Sequence, residues 1–212
     1  MVVSLFQLAV SLGIFIQSRQ KKNNAQTFFV FLSLLIFTWT VTNTILLFVD
    51  TSASSTNLSF FNYINKLGYI LGAATLVAIY IFNLIFPEHK KIGLIQKFVL
   101  MSGLLLTVLS GLNSVSGGFN IGDDSVVYEP GSLSIVYALM GLLILSATLA
   151  SNAKLIRKQT DVNTRRQAIT MLIGLGLTIV HAVVFIILIP AFFNDSAIIF
   201  AIGYLAPYFF LS

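Results

Sequence analysis

Cysteine is absent from this 212-residue chain, and charged residues make up only 9% of it. Without cysteine there is no disulfide framework, no thiolate nucleophile and no thiolate metal site. A soluble domain carries about 25% charged residues, so water cannot be the main solvent for a surface with so few. Because 57% of the residues are hydrophobic, the composition indicates a membrane protein.

Residues that could support catalysis are also scarce. No acidic residue lies in the middle of an apolar stretch, and the two histidines are His89 and His181. We therefore expect neither a carboxylate relay nor a metal cluster built from the usual ligands. There is no Gly-x-Ser-x-Gly nucleophile elbow and no phosphate-binding loop. The sequence predicts no catalytic residues, no metal, no cofactor and no enzyme activity in this segment.

Apolar runs recur along the whole chain. A hydrocarbon core about 30 Å thick requires roughly 20 apolar residues per helix, so the runs predict an all-α bundle of seven transmembrane helices within residues 1–212. The approximate spans are 2–16, 27–49, 60–86, 92–112, 132–153, 167–189 and 195–212. No basic segment precedes the first run, which favours a retained span over a cleaved signal peptide. The seventh run is still apolar at Ser212, and we expect the natural chain to continue.

Basic residues lie in alternate connections between the runs. Eleven of the twelve follow the first, third or fifth run, if Lys97 at the start of the fourth run is included, and the exception is Lys66. The other connections carry acidic residues and no basic ones. By the positive-inside rule the basic side is cytoplasmic, which predicts an external N-terminus and a cytoplasmic C-terminal end. The net charge of +5 is thereby explained without nucleic-acid binding.

The longest outer connection, about residues 113–131, predicts a β-hairpin. Two short apolar-aromatic runs flank the sequence Gly122-Asp123-Asp124-Ser125, and strand-like runs separated by such residues are typical of hairpins. The hairpin would lie across the outer mouth of the bundle. A plain solvated loop is the alternative.

Polar side chains within the runs lie at similar depth, toward the outer side. Intramembrane ionisable residues are costly and indicate function by default. The predicted ligand-binding residues are Asn43, Lys66, Tyr69, Asn113 and His181. Lys66 would meet an anionic group, and His181 would add pH dependence. In the alternative interpretation Lys66 pairs with Asp50 and His181 only bonds a neighbouring helix.

Glycines in the third run predict close helix packing. Gly68 and Gly72 form a small-xxx-small step that lets another helix approach closely. The partner is either another helix of the bundle or a second membrane protein.

Several short stretches resemble the N-terminal seven-helix membrane region of bacterial sensor histidine kinases and related signalling proteins. The stretches are the basic first inner loop, Trp39 to Asn43, Asn65 to Tyr69, the aromatic end from Tyr80 to Phe86 before Pro87, Arg165-Arg166-Gln167 and Pro190. Microbial rhodopsins fit less well, because no lysine lies between Asp195 and Ser212. G-protein-coupled receptors also fit less well, since no acidic-Arg-aromatic triplet follows the third run.

The resemblance implies a sensory input module of a two-component system in the bacterial inner membrane. Its expected partners are the lipid bilayer, an unknown small ligand or membrane stimulus, and a cytoplasmic effector domain beyond Ser212. A second copy of the chain is a further candidate partner. The alternatives are a small-solute transporter or channel, and an assembly module that binds other membrane proteins through the Gly68–Gly72 face.

Reporter fusions test the predicted orientation. Reporters placed after Lys22, Lys91 or Lys158 should behave as cytoplasmic, because these residues belong to the basic connections. Reporters placed at residues 54–57 or 123–124 should behave as external. Two reporters on the wrong side would overturn the seven-span arrangement.

Overall fold

The computed structural model describes residues 24–46, 58–86, 92–121 and 126–182, together with the single positions Ala9, Gly13 and Ile16. This part of the chain is mostly helical. Its elements in chain order are α1 (Asn24–Leu46), α2 (Leu58–Ile85), α3 (Leu94–Leu109), the short α4 (Asn113–Ser116), β1 (Gly118–Ile121), β2 (Val126–Glu129), α5 (Ser134–Lys158) and α6 (Val162–Ala182).

Five long helices coincide with the second to sixth predicted spans. Of these, α2 and α5 are long and apolar enough to cross a membrane, while α3 and the Thr27–Asn43 part of α1 are shorter apolar helices. The predicted spans 2–16 and 195–212 lie outside the described residues, apart from Ala9, Gly13 and Ile16, which are helical. The described structure therefore supports a helical chain with two candidate membrane-spanning helices.

Helix α2 lies at the centre of the described bundle. Helices α1, α3 and α5 pack around it, and α6 packs mainly against α5. One apolar cluster joins α1, α2, α5 and α6 and contains Leu32, Ile36, Ala78, Ile79, Phe82, Leu145, Met171 and Leu175. A second joins α2, α3 and α5 and contains Ala73, Tyr80, Leu84, Val99, Leu106 and Ile144. Helix α2 contributes to both cores from opposite faces.

The helix contacts define two ends of the bundle. Gly72 of α2 faces Tyr137 near the start of α5, and Leu76 faces Gly141 one turn later, so these two helices run in the same direction. The end that holds the β-strands and the starts of α2 and α5 is called the hairpin end. The opposite end, where α5 finishes at Lys158 and α6 begins, is called the basic end.

The expected hairpin is confirmed, within a chain whose described part is otherwise mostly helical. Strands β1 and β2 pair antiparallel, with Gly118 opposite Glu129 and Ile121 opposite Val126. The side-chain amide of Asn120 donates a 2.7 Å hydrogen bond to Glu129 across the pair. The hairpin follows α3 through the short α4 and leads directly into α5.

Two glycines close the base of the hairpin. Gly117 has φ of +63°, in the left-handed region that disfavours other residues. A β-carbon on Gly131 would collide with the carbonyl oxygen of Ser114, and one on Gly117 would collide with the backbone of Glu129. The amide of Leu133 also donates to the Ser114 carbonyl, at 2.6 Å. The two chain segments cross so closely that neither glycine has room for a side chain.

The outer surface of the described bundle is strongly apolar. Along α3, Leu94 is 85% exposed, Phe98 66% and Val108 74%. Large exposed side chains continue on α5 at Ile135 and Leu139. Soluble monomers rarely expose contiguous apolar patches of more than a few hundred Å². The surface supports membrane association, together with the two candidate spans.

Alanine substitution should test the crossing at the hairpin base. Gly117→Ala and Gly131→Ala should each lower the free energy of unfolding by about 1–3 kcal/mol, because an added β-carbon overpacks the crossing. Gly111→Ala is the matched control, since its β-carbon would meet its nearest neighbours at 3.5 and 3.6 Å. Denaturant unfolding in detergent micelles gives the three values. Equal effects at all three positions would contradict the tight crossing.

Candidate functional site at the hairpin end

Helices α1, α2 and α5 meet in a polar-aromatic junction near the hairpin end. Gly68 and Gly72 provide the space on α2. A β-carbon on Gly68 would lie 2.9 Å from Oδ1 of Asn43, and one on Gly72 would lie 3.2 Å from Nε1 of Trp39 and 3.0 Å from the hydroxyl of Tyr137. The small-xxx-small step therefore admits polar and aromatic side chains from both neighbouring helices, and α1 approaches α2 in antiparallel order.

A pair of tyrosines fixes the α5 side of the junction. The rings of Tyr69 and Tyr137 are 5.0 Å apart in an edge-to-face arrangement, which aromatic pairs prefer. The hydroxyl of Tyr137 donates to the backbone carbonyl of Tyr69 at 3.1 Å. Both rings remain half-buried, so the pair is within reach of a bound molecule.

The Asn43 amide is the most deeply buried polar group of the junction. The residue is only 3% exposed, and its Nδ2 has no hydrogen-bond partner among the described residues. An unsatisfied buried donor costs about 1–3 kcal/mol. Asn43 therefore presents an amide donor that a ligand's acceptor, or a residue outside the described ranges, would stabilise.

The hairpin and the short helix α4 before it are attached to α2 by two asparagines. Oδ1 of Asn62 accepts the amide of Phe119 at 2.6 Å, and Nδ2 of Asn62 donates to the Phe119 carbonyl at 3.2 Å. One side chain thus pairs with both polar groups of a strand residue. One helical turn along, Nδ2 of Asn65 donates to the Ser116 carbonyl at 2.8 Å. Any displacement of the hairpin is therefore transmitted to α2.

The predicted ligand-binding residues are only partly brought together. Asn43 and Tyr69 lie in the junction, whereas Lys66 is half-buried on α2, one turn from Asn62. Asn113 is exposed at the start of α4, where its carbonyl accepts the amide of Gly117 at 2.8 Å. His181 belongs to the last turn of α6, and its side chain is outside the described atoms, as is Asp50, the alternative partner of Lys66.

The Gly68–Gly72 face is covered within the chain. Both glycines are buried, and the groups that face them are Asn43, Trp39 and Tyr137. Another membrane protein cannot use this face without displacing α1. The assembly alternative that relied on it therefore loses its surface.

The expectation that buried polar groups cluster toward the outer side is wrong in one respect. Asn83 of α2 and Asn152 of α5, both toward the basic end, are 0% exposed. Neither side-chain polar atom of Asn152 has a partner among the described residues. Helices α2 and α5 therefore carry a second buried polar level.

Sequence reasoning missed Tyr137 and the attachment role of Asn62. Tyr137 is an aromatic residue in the first turn of α5, a position typical of interfacial aromatics, and this was the available signal. Asn62 shares a helical face with Lys66, but its partner Phe119 is 57 residues away in the chain. No local pattern could have identified that contact.

Comparison with known proteins adds no family assignment, because no protein-family model, curated protein or solved structure matches the chain. The junction is therefore interpreted from its own contacts. Those contacts show a buried amide donor, an aromatic pair and an attached hairpin, and they are suited to binding a small molecule by hydrogen bonding and ring contact.

A double-mutant cycle should test the junction. Gly68→Ala should lower the free energy of unfolding by about 1–3 kcal/mol through overpacking against Asn43. When Asn43 is already alanine, the further substitution Gly68→Ala should lower the free energy of unfolding by less than it does in the wild type. The difference, which is the coupling energy, should be about 0.5–3 kcal/mol. Gly176→Ala is the control, since no atom of the described residues lies within 4 Å of its β-carbon. Strictly additive losses in micelle unfolding experiments would contradict the contact.

Proposed function

We propose that this chain is a membrane-embedded sensory input module of the kind that precedes bacterial histidine kinases. In this proposal seven helices cross the bacterial inner membrane, and the hairpin end faces outward. A small ligand or membrane stimulus acts at that end. The basic end faces the cytoplasm, where a signalling domain beyond Ser212 receives the change.

The observation that carries the proposal is the attachment of the hairpin to α2. Asn62 bonds both backbone groups of Phe119, and the polar-aromatic junction lies on the same helix at Gly68 and Gly72. A ligand that moves either element acts directly on α2. Because α2 packs against α1, α3 and α5, its displacement must be accommodated by these three helices.

The far end of α2 is suited to receive such a displacement. The ring of Phe82 stacks on Phe86 at 5.3 Å and on Phe28 of α1 at 6.4 Å. Packed interfaces respond to small shifts by changing between discrete arrangements. A ligand that prefers one packing by a few kcal/mol would shift the population of the bundle. The aromatic stack lies toward the basic end, where a cytoplasmic domain would respond to the changed packing.

Packing in the middle of the bundle favours sensing over transport. Ile79, Leu106 and Ile144 are at most 1% exposed, and they separate the polar groups of the two ends within the described bundle. Conduction needs a polar lining or a wide wet gap at this depth. Ile79, Leu106 and Ile144 are large and apolar, and the hydroxyls of Thr75 and Thr148 are bonded within their own helices, which disfavours the transporter or channel alternative.

Lys66 and the hairpin end give the proposed site its chemistry. Lys66 lies half-buried between Asn62 and the junction, so an anionic group of a ligand would find a cation there. Asn43 would supply a buried amide donor, and the Tyr69–Tyr137 pair an aromatic contact. His181 would add pH dependence near neutrality. We infer a small ligand that combines an anionic group with an apolar or aromatic body.

A double substitution should separate signalling from transport. In the full-length protein that contains this module, Lys66→Ala/His181→Ala should change the signalling output, measured as phosphorylation of the cytoplasmic domain. Solute uptake by proteoliposomes that hold the module should stay at the level of empty liposomes for the wild type and the variant.

The control is Lys97→Ala, which removes an exposed cation at the basic end and should leave the response to the native stimulus intact. An unchanged response in the double variant would remove Lys66 and His181 from the site. Uptake that the wild-type module supports, and that the double variant loses, would instead establish a transporter.

A further inference from the structure

The turn between α5 and α6 concentrates positive charge. Five cations lie within residues 154–166, namely Lys154, Arg157, Lys158, Arg165 and Arg166, and all five are exposed. None of them forms an ion pair within the described part of the chain. Asp161 is the only acidic residue of the segment. This cluster of exposed positive charge can therefore attract an anion from outside the chain.

The backbone of the turn is already satisfied by its own side chains. Oε1 of Gln159 accepts the amides of Thr160 and Asp161 at 3.0 and 3.3 Å. Oδ2 of Asp161 accepts the Thr164 amide at 2.7 Å, and this bond lowers the pKa of the Asp161 carboxyl. Asp161 is therefore the N-cap of α6. An anion at this turn would be held by the side-chain cations, because these amides are occupied.

An exposed apolar stripe begins at the cations and runs along α6. Ile169, Ile173 and Leu177 are all exposed, and with Arg165 they recur at every fourth residue, which places them along one helical face. An arginine at the head of an apolar stripe matches a molecule with a phosphate at one end and a hydrocarbon chain at the other. Arg166 adjoins the same face.

We propose that this turn binds the headgroup of an anionic phospholipid, whose acyl chain lies along Ile169, Ile173 and Leu177. Arginine donates to phosphate oxygens in a bidentate manner, and the α5 cations neutralise the remaining charge. The proposal rests on the membrane placement proposed above and is independent of signalling. In this proposal the basic residues bind a lipid, in addition to setting the orientation of the chain in the membrane.

The expected effect of each cation follows from surface electrostatics. A Lys or Arg near an anionic lipid surface contributes about 1 kcal/mol, which converts to roughly a five-fold change in affinity. Arg165→Gln/Arg166→Gln should therefore weaken binding of phosphatidylglycerol by at least about ten-fold. Arg165→Lys/Arg166→Lys keeps the charge, and it should lose only the part of the affinity that comes from bidentate hydrogen bonds to the phosphate.

The substitution Asp161→Asn should have the opposite effect on the affinity for phosphatidylglycerol. Asparagine caps a helix as well as aspartate does, so α6 keeps its N-cap while the turn gains one unit of net positive charge. Affinity for phosphatidylglycerol should rise by roughly five-fold. Lys97→Gln is the matched control, since it removes an exposed cation at the same end of the bundle but outside the turn.

The experiment titrates the purified full chain, in micelles of an uncharged detergent, with phosphatidylglycerol or phosphatidylcholine, and native mass spectrometry counts the bound lipids. Selective retention of phosphatidylglycerol, lost in Arg165→Gln/Arg166→Gln and unchanged in Lys97→Gln, supports the proposal. Circular dichroism melting checks that the variants remain folded, and the gain in Asp161→Asn cannot arise from misfolding.

Three outcomes would overturn the lipid assignment. One is equal retention of the two lipids, and another is an equal loss in Lys97→Gln. The third is displacement of bound phosphatidylglycerol by inorganic phosphate at the same concentration as the lipid. This result would indicate a site for free anions. A failed signalling test would leave these affinities unchanged, so failures of the two proposals are distinguishable.

Discussion

The packing of α2 is the constraint on which the rest of the described structure depends. The close approach of α1 to α2 uses glycines of this helix, with Asn43 and Trp39 packed on Gly68 and Gly72, and Asn62 of the same helix holds the hairpin. Apolar clusters then cover it on opposite faces. Without the space at Gly68 and Gly72, α1 would lie farther away, and the polar atoms of its side chains would lose the sheltered position that makes them candidates for ligand binding.

Polar side chains in this apolar bundle obtain hydrogen-bond partners in two different ways. Many threonines and serines donate their hydroxyl to the carbonyl four residues earlier, as Thr75 does to Leu71 and Thr148 does to Ile144. Such bonds satisfy the group within its own helix and need no partner. Asparagine amides cannot all be satisfied in this way; that of Asn62 binds the hairpin and that of Asn65 binds α4 at its base. Asn43 and Asn152 each have a side-chain atom without a partner among the described residues, one toward each end.

The sequence allowed the helices and the hairpin to be predicted, but not the faces that meet. Apolar runs and the Gly122-to-Ser125 turn are local signals, and they located five helices and two strands. A helix that is apolar on all sides provides no periodicity to show which face is buried. The sequence around Tyr137 therefore gave no signal of its partner Tyr69. The Asn62–Phe119 contact depends on how the chain folds back over 57 residues, which short-range patterns do not encode.

The unequal lengths of α2 and α3 have a consequence for the surrounding lipid. Helix α3 has 16 residues and α2 has 28, so at 1.5 Å per residue they rise about 24 and 42 Å. In the proposed bilayer, with a hydrocarbon core about 30 Å thick, α3 falls short and presents Leu94, Phe98 and Val108 to the acyl chains. Such hydrophobic mismatch thins the adjacent bilayer at a cost of a fraction of a kcal/mol per Å. The α3 side of the protein would then partition toward thinner regions of a membrane, independently of any ligand.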